Sequence, residues 1–538
     1  MLPVTAGASV APDTALHAYA RARLADSEGA GDVAVASYRA ALRGDPDSLE
    51  IARRSYYQAL ESGDVPLALR SATLLDQQGL LPRDGTLLRI AEALVARDWA
   101  SARQLTDRVV QEGNFAFLAP IIISWIAHGE QQPAPPVVNA RDRFGALARR
   151  YVDEHEAMQA LSRGDGAAAA APIQRALSLR VADLAGLRLA FAARLTAIGA
   201  RDRALALLPA DDANFTRARA DIARGKSAAD FAGAMVPRQG FARLLSRLAG
   251  DISAESNSAA MALRMARIAL FADPASVEAR IVAARLLTRV GDTPTAAALA
   301  RQIPSASWYG ALGQAVLVDA LAGNGQQEEA VALARKLAEE PQAGPDRMVR
   351  LGQLLAVAGD FSGAATAYRA AQDRYRPDAM PWTLLLFEGS ALEQAERWDE
   401  ARLVLERAAK LAPDEAVVLN YLGYAQIERR QNLDAALALL SKASALKPQD
   451  ASITDSFGWA RFLTGDIEGA VPVLERAAAG APADATINEH LGDALWAAGR
   501  RFEARYAWRA ASAFAEGETA TRLSAKTREG MKPEYAAP

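Results

Sequence analysis

The phrase Leu422-Gly423-Tyr424-Ala425 returns as Phe457-Gly458-Trp459-Ala460 and again as Leu491-Gly492-Asp493-Ala494. Small and apolar residues follow in phase: Ala436, Leu440 and Ala443, then Ala470, Leu474 and Ala477, then Ala504, Trp508 and Ala511. Gly458 to Ala470 is 12 residues, as is Gly492 to Ala504, and Ala470 to Ala504 is 34. Pro413, Pro448 and Pro482 close successive units. Several independent positions therefore recur together, which marks a structural repeat.

The spacing has a physical reading. It predicts two short antiparallel helices per unit, neither stable alone, since isolated helices under about 12–15 residues are marginal in water. Glycine inside a helix costs roughly 1 kcal/mol against alanine. Gly389, Gly423, Gly458 and Gly492 therefore serve close approach, and Ala401, Ala436, Ala470 and Ala504 on the second helix are expected to meet them. The prolines end that helix by removing a donor and clashing with the preceding turn. This pattern resembles the tetratricopeptide repeat, a helix-turn-helix unit of about 34 residues. The resemblance implies an all-α fold, with helix pairs stacked into a right-handed superhelix (an α-solenoid).

Composition agrees. Apolar residues are 51% but aromatics only 6%, so alanine carries the difference and small faces must pack helix on helix. Alternating Val/Ile/Thr runs with hairpin turns are missing. A length of 538 residues would suit several globular domains, but an array lengthens by adding units. Net charge is −3, from 61 basic and 64 acidic residues, with no basic block, which argues against nucleic acid as a partner. Cysteine is absent, which excludes disulfides, thiolate metal sites, a cysteine nucleophile and a lipid-bearing cysteine within this chain.

Along the chain, residues 1–13 read as a disordered lead and 14–130 as N-terminal repeats, with Ala34, Ala68 and Ala102 at steps of 34. Gln131 to Pro136 breaks the phase, so 131–140 reads as a Pro-rich linker. Residues 141–250 read as divergent helical pairs or, alternatively, an irregular insert. Phase returns at Ala262, and Ala296, Ala330 and Ala364 carry it on through an array over 251–516. Residues 517–538 read as a polar tail, with a capping helix reaching Ala525–Gly530 and disorder beyond it. The apolar run Phe115–Ala127 is too short for a membrane span and reads as a buried repeat helix, the alternative being an interfacial membrane helix.

Chemical motifs are sparse. Asp153-Glu154-His155-Glu156 lacks the second histidine four residues on, where Gln159 stands, and reads as a solvated acidic helix face. Gly323-Asn324-Gly325 reads as a turn between paired helices. No nucleophile elbow or phosphate loop is found, so no catalytic residue, cofactor or metal is expected, and the chain is read as no enzyme. A pocket in 141–250 holding converging buried carboxylates would revive a catalytic reading.

In the tetratricopeptide family the first helix of each pair lines the concave side. The matching rows here are Val417, Asn420, Tyr421, Tyr424 and Ile427; Ser452, Asp455, Ser456, Trp459 and Phe462; and Thr486, Glu489, His490, Asp493 and Trp496. From these, a partner-binding groove is expected at Asn420, Tyr424, Asp455, Trp459, Phe462, Glu489, Asp493 and Trp496. Tyr424, Trp459, Phe462 and Trp496 offer broad contact, since Tyr and Trp are enriched in binding hot spots. Asn420, Asp455, Glu489 and Asp493 offer hydrogen bonds to an extended backbone. The alternative is that the aromatics fill gaps between neighbouring pairs. The rows lack the Lys and Arg with which tetratricopeptide domains clamp a terminal carboxylate, which argues against a chaperone-tail clamp.

Residues 419–511 also resemble one branch, the large bacterial tetratricopeptide proteins of the envelope. The phrases Leu419-Asn420-Tyr421-Leu422-Gly423-Tyr424, Asp455-Ser456-Phe457-Gly458-Trp459 and His490-Leu491-Gly492-Asp493-Ala494-Leu495-Trp496 carry the likeness, over under a fifth of the chain. That branch includes outer-membrane lipoprotein adaptors that bring a carboxyl-terminal processing protease to cell-wall hydrolases. The resemblance implies a non-catalytic scaffold or adaptor holding protein or extended peptide ligands, with such a protease and hydrolases as partners. Membrane association would come only through a partner or a removed N-terminal anchor. Met1 to Ala8 shows no signal-peptide pattern. The expected location is the bacterial periplasm or outer-membrane periphery if a signal was removed, and otherwise the cytoplasm, where the alternative is a tetratricopeptide scaffold or co-chaperone.

Overall fold

In a computed structural model of the chain, the described residues are 12–138, 145–179, 183–228, 233–253, 258–375 and 379–537. The expected lead at 1–13 falls mostly outside them; a helix begins at Pro12. The last residues of the expected 131–140 linker also lie outside, and 132–138 form no regular element. All regular structure among the described residues is helical, in two compact units, Met1–Gly344 and Pro345–Pro538. The chain is an all-α solenoid of stacked helix pairs, and none of its described helices is long and apolar enough to cross a membrane.

The second unit shows the repeat most plainly. Helices pair as Pro345–Val357 with Phe361–Gln372, Trp382–Gln394 with Trp398–Leu411, and Ala416–Glu428 with Leu433–Leu446. The series continues with Ala451–Leu463 and Ile467–Gly480, then Ala485–Ala497 and Arg501–Ser512, and closes with the single helix Gly517–Glu529. Each second helix of three successive pairs stops two residues before its proline: Leu411 before Pro413, Leu446 before Pro448, Gly480 before Pro482. Two of these first helices start on aspartate caps, with Asp450 accepting from Ile453 N and Asp484 from Ile487 N.

The repeat glycines act as the sequence predicts, with one correction. A Cβ at Gly389, Gly423 or Gly458 would sit 2.6–2.8 Å from Leu405, Leu440 or Leu474, and one at Gly492 would strike Trp508. The closest atoms thus belong mainly to the large residue four after each alanine, because side chains on the second helix lean toward its N-terminus. Ala401, Ala436, Ala470 and Ala504 are fully buried beside that contact. Successive first helices (Ala416–Glu428, Ala451–Leu463, Ala485–Ala497) also touch one another, which brings their outward rows into one surface.

The first unit begins with similar pairs, Pro12–Ser27 with Gly31–Gly44, Leu49–Ser62 with Val65–Gln77 and Arg83–Ala96 with Trp99–Glu112. The apolar run forms a short 3-10 turn and the helix Ala119–Gly129, with Ile121, Ile122, Trp125 and Ile126 buried, as the repeat-helix reading requires. The middle is helical but uneven: Gly145–Ser162, Gly166–Ser178 and Leu184–Ala197 are followed by the short helices Arg201–Ala206 and Thr216–Ala223. Pro237–Ile252, Ala259–Ala272 and Val277–Arg289 restore full length. Gly323-Asn324-Gly325 is the turn between Gly310–Gly323 and Gln327–Ala338. Ala259–Ala272 does more than stack on its neighbours. It packs on Leu49–Ser62 and Arg83–Ala96, where Arg264 meets Asp84 at 2.5 Å and Glu61 at 2.7 Å.

Candidate functional site

Asn420, Tyr424 and Glu428 lie four residues apart on the helix Ala416–Glu428 and so share one face. That face borders a cleft of about 540 Å³ whose lining includes Glu393, Tyr421 and Ser456. Asn420 Oδ1 is enclosed without a donor among the described residues. Tyr424 is half-buried and lines the cleft. Tyr421 OH donates to Glu393 Oε2 at 2.5 Å and lies 3.1 Å from Ser390 Oγ, whose hydroxyl donates back to it. Burial pushes both tyrosine pKa values above their ordinary range, so the hydroxyls stay protonated. Burial, and then Glu393, raises the Glu428 carboxyl as well.

Arg429 also reaches this cleft, although the rows read from the sequence contained no arginine. Its Nη1 is held 2.9 Å from Glu393 Oε1 and 3.0 Å from Ala425 O, and its guanidinium lies over the Trp398 ring at 4.4 Å. It is therefore committed internally. The wall that remains is rich in acceptors, from Glu393, Glu396, Glu428 and Asn420, and suits N–H donors rather than a terminal carboxylate.

The other expected groove residues are placed differently. Trp459 is 2% exposed, sandwiched between His490 (ring centroids 3.9 Å apart) and Phe462 (4.8 Å). His490 Nδ1 is 2.8 Å from Asp455 Oδ2, and both residues are buried. Glu489 and Asp493 are buried beneath the helix Gly517–Glu529, which sets Arg522 and Lys526 on Glu489, and Lys526 on Asp493. Trp508 Nε1 adds a 2.9 Å bond to Asp493. Trp496 packs against Trp508 and beneath Gly530, under Arg501 and Arg505.

Asp455, Trp459, Glu489 and Asp493 thus face inward rather than into an open groove. The terminal helix covers the last pair, and the aromatics at 459, 462 and 496 fill gaps between layers. Only Asn420 and Tyr424 of the expected set stand at the cleft. Glu393 and Glu428 were missed, though Glu428 follows Tyr424 by one helical turn. The terminal helix ends at Glu529, within the expected reach, but in place of the expected disorder a 3-10 turn, Pro533–Tyr535, follows it, with Lys532 and Tyr535 both bound to Glu529.

The middle of the first unit holds a second cavity, of about 240 Å³. The Asp153–Glu156 run beside it is no solvated face: Glu154 and His155 are buried. The cause is the facing helix Pro237–Ile252, whose Arg243 Nε and Arg247 Nη1 lie 2.6 and 3.4 Å from the Glu154 carboxylate. Burial alone would raise the Glu154 pKa, but the two guanidinium groups hold it below the ordinary value. Glu278 Oε1 accepts from Arg243 Nη1 at 2.7 Å and Tyr309 OH at 2.8 Å. His155 accepts from Trp125 Nε1 at Nδ1, and burial lowers its pKa to about 4. Buried carboxylates do converge here, each bound by arginine, and Glu154 is held in its ionised form.

Comparison with known proteins gives likenesses of fold. No family model matches the chain, and no curated protein matches it. Among solved structures, MamA of AMB-1 is 23% identical, over 33% of this chain and 96% of that one, with a TM-score of 0.27. YrrB, described as a TPR protein with an unusual peptide-binding site, is 19% identical, over 32% of this chain and 87% of that one, with a TM-score of 0.28. Yeast Tom70 is 11% identical, over 96% of each chain, with a TM-score of 0.37.

Proposed function

We propose that the protein is an interaction scaffold that holds an extended segment of a partner protein against the first helices of the second unit. The observation that carries this is the open cleft at Asn420 and Tyr424, where an enclosed side-chain acceptor and an aromatic ring stand together. An extended backbone supplies the N–H that Asn420 Oδ1 lacks, and the tyrosine ring supplies contact area. The acid-rich lining favours a segment carrying lysine or arginine.

The finer form of the proposal is an envelope adaptor that brings a carboxyl-terminal processing protease to cell-wall hydrolases. Its support is the three phrases between Leu419 and Trp496. The test is affinity capture by the full chain and by an Asn420→Ala/Tyr424→Ala variant from cells expressing each, with mass spectrometry of what stays bound. The expected result is a set of proteins, including such a protease, retained by the native chain and lost from the variant. Identical sets from both would remove the cleft as the site. A set of cytoplasmic proteins alone would remove the envelope role.

A further inference from the structure

The cavity in the first unit is floored by a network in which most charges are already matched. Glu154 is shared by Arg243 and Arg247, and Glu278 is bound by Arg243 and Tyr309. Asp251 Oδ1 receives Arg247 Nε at 3.3 Å. One polar group is left over inside. Arg247 Nη2 is enclosed and meets no acceptor among the described residues, on a side chain only 10% exposed. An unsatisfied buried donor costs about 1–3 kcal/mol, and more when it is charged. Such a group persists when the surrounding structure holds it in place, as it does here through Glu154 and Asp251 on the other nitrogens.

The wall repeats the sign. Arg285 and Arg289, one helical turn apart on Val277–Arg289, line the same cavity, and Arg285 has no ion-pair partner among the described residues. Asp183 is the remaining acid in the lining, and its Oδ1 already accepts from Gly186 N at 3.0 Å. Leu187, Val282 and Leu286 supply apolar walls that weaken the competition from water.

We propose that this cavity binds a small oxyanion, a carboxylate or phosphate group, which accepts hydrogen bonds from Arg247 Nη2 and Arg285. Arg285 suits both because its planar N–H fork matches two oxygens of either, while Arg247 adds its one unpaired nitrogen. At about 240 Å³ the space takes a compact molecule or a single acidic group rather than a folded chain. The site is separate from the cleft at Asn420 and Tyr424, and neither reading depends on the other.

The experiment uses the full chain, titrated with sodium phosphate and, separately, sodium succinate at constant ionic strength set by chloride. Binding is read by calorimetry and by the melting temperature. The native chain is expected to bind one of the two anions saturably below about 10 mM. Arg285→Ala, an exposed position whose loss leaves the floor intact, should weaken that binding by about tenfold. Saturation by phosphate alone assigns a phosphate group, and saturation by succinate alone assigns a carboxylate. Saturation by both, lost in Arg285→Ala, assigns an unselective oxyanion site. Absence of saturation by either anion, or equal binding by Arg285→Ala, overturns the proposal.

Discussion

Lys526 Nζ lies 2.7 Å from Asp493 Oδ2, with the lysine side chain wholly enclosed and the carboxylate beneath it fully buried. A cation from the terminal helix thus closes an acid pair on the last first-helix of the array. Glu489 Oε1, 2.6 Å away, completes the arrangement. Lys526→Met leaves two buried carboxylates facing an apolar chain. Breaking a buried pair by removing one partner costs about 3–5 kcal/mol. The expected outcome is early release of Gly517–Glu529, measured as faster amide hydrogen exchange there than in Ala416–Glu428. Unchanged exchange would show that Leu523 and the flanking contacts hold the helix by themselves.

Glu489 adds a dependence on acid. Burial would raise its pKa, but the bonds from Arg522 and Lys526 hold it below the ordinary value. A depressed carboxylate stabilises the fold above its unfolded pKa, and that contribution is lost as pH falls through the folded value. Melting of the second unit should therefore drop below about pH 4.5, and Glu489→Gln should show a shallower drop.

His155 gives the first unit a window of its own. Its folded pKa of about 4 lies below the ordinary 6.5, because the ring is buried and neutral. The unfolded chain then binds a proton that the folded chain refuses, so stability is full above 6.5 and declines as pH falls toward 4. The decline amounts to about 3 kcal/mol for an undisturbed burial shift. His155→Gln should flatten it, as read from melting temperatures across that range.

Gly423 separates packing from helix propensity. Alanine there would gain about 1 kcal/mol in propensity. Its Cβ, however, would stand 2.8 Å from Leu440 Cγ and 3.1 Å from Ala436 O. Overpacking of this kind costs about 1–3 kcal/mol, so Gly423→Ala should lower the urea midpoint. A raised midpoint would mean that the two helices part without penalty.

Trp459 and Tyr424 distinguish wall from core. Trp459→Ala removes a ring stacked on both His490 and Phe462 and should cost about 3–5 kcal/mol. Tyr424→Ala removes a half-buried ring at the cleft and should reduce partner capture with a smaller change in melting temperature. The reverse pattern would move the contact surface elsewhere.

These differences show what was legible in the amino-acid sequence. Helix pairing, glycine contacts and proline stops were readable because each copy repeats them in phase, as at Gly423, Gly458 and Gly492. Which residues share one face of a first helix was also readable, as for Asn420 and Tyr424, but not what lies above that face. Lys526 sits 33 residues beyond Asp493 in a segment that reads as a polar tail, and only the fold turns its cation inward. In the same way Arg243 meets Glu154 across 89 residues, with no repeat to announce the pair. Charged residues on a helix look solvated until a neighbouring helix matches them. Asp455, Glu489 and Asp493 of the expected groove became core for this reason.

The contact between Arg264 and Asp84 spans 180 residues of chain. An array held only by nearest neighbours can nucleate anywhere and fray from either end. The first unit has instead tied Ala259–Ala272 back to Leu49–Ser62 and Arg83–Ala96, so its early pairs share their fate with a helix made much later on the ribosome. A chain with such separated contacts folds more slowly than one built of local contacts. It also gains cooperativity, since losing any one member opens a closed circuit rather than shortening a stack. The two units of this protein share one kind of helix pair, yet they should differ in how they come apart: the second pair by pair from its ends, the first as a block.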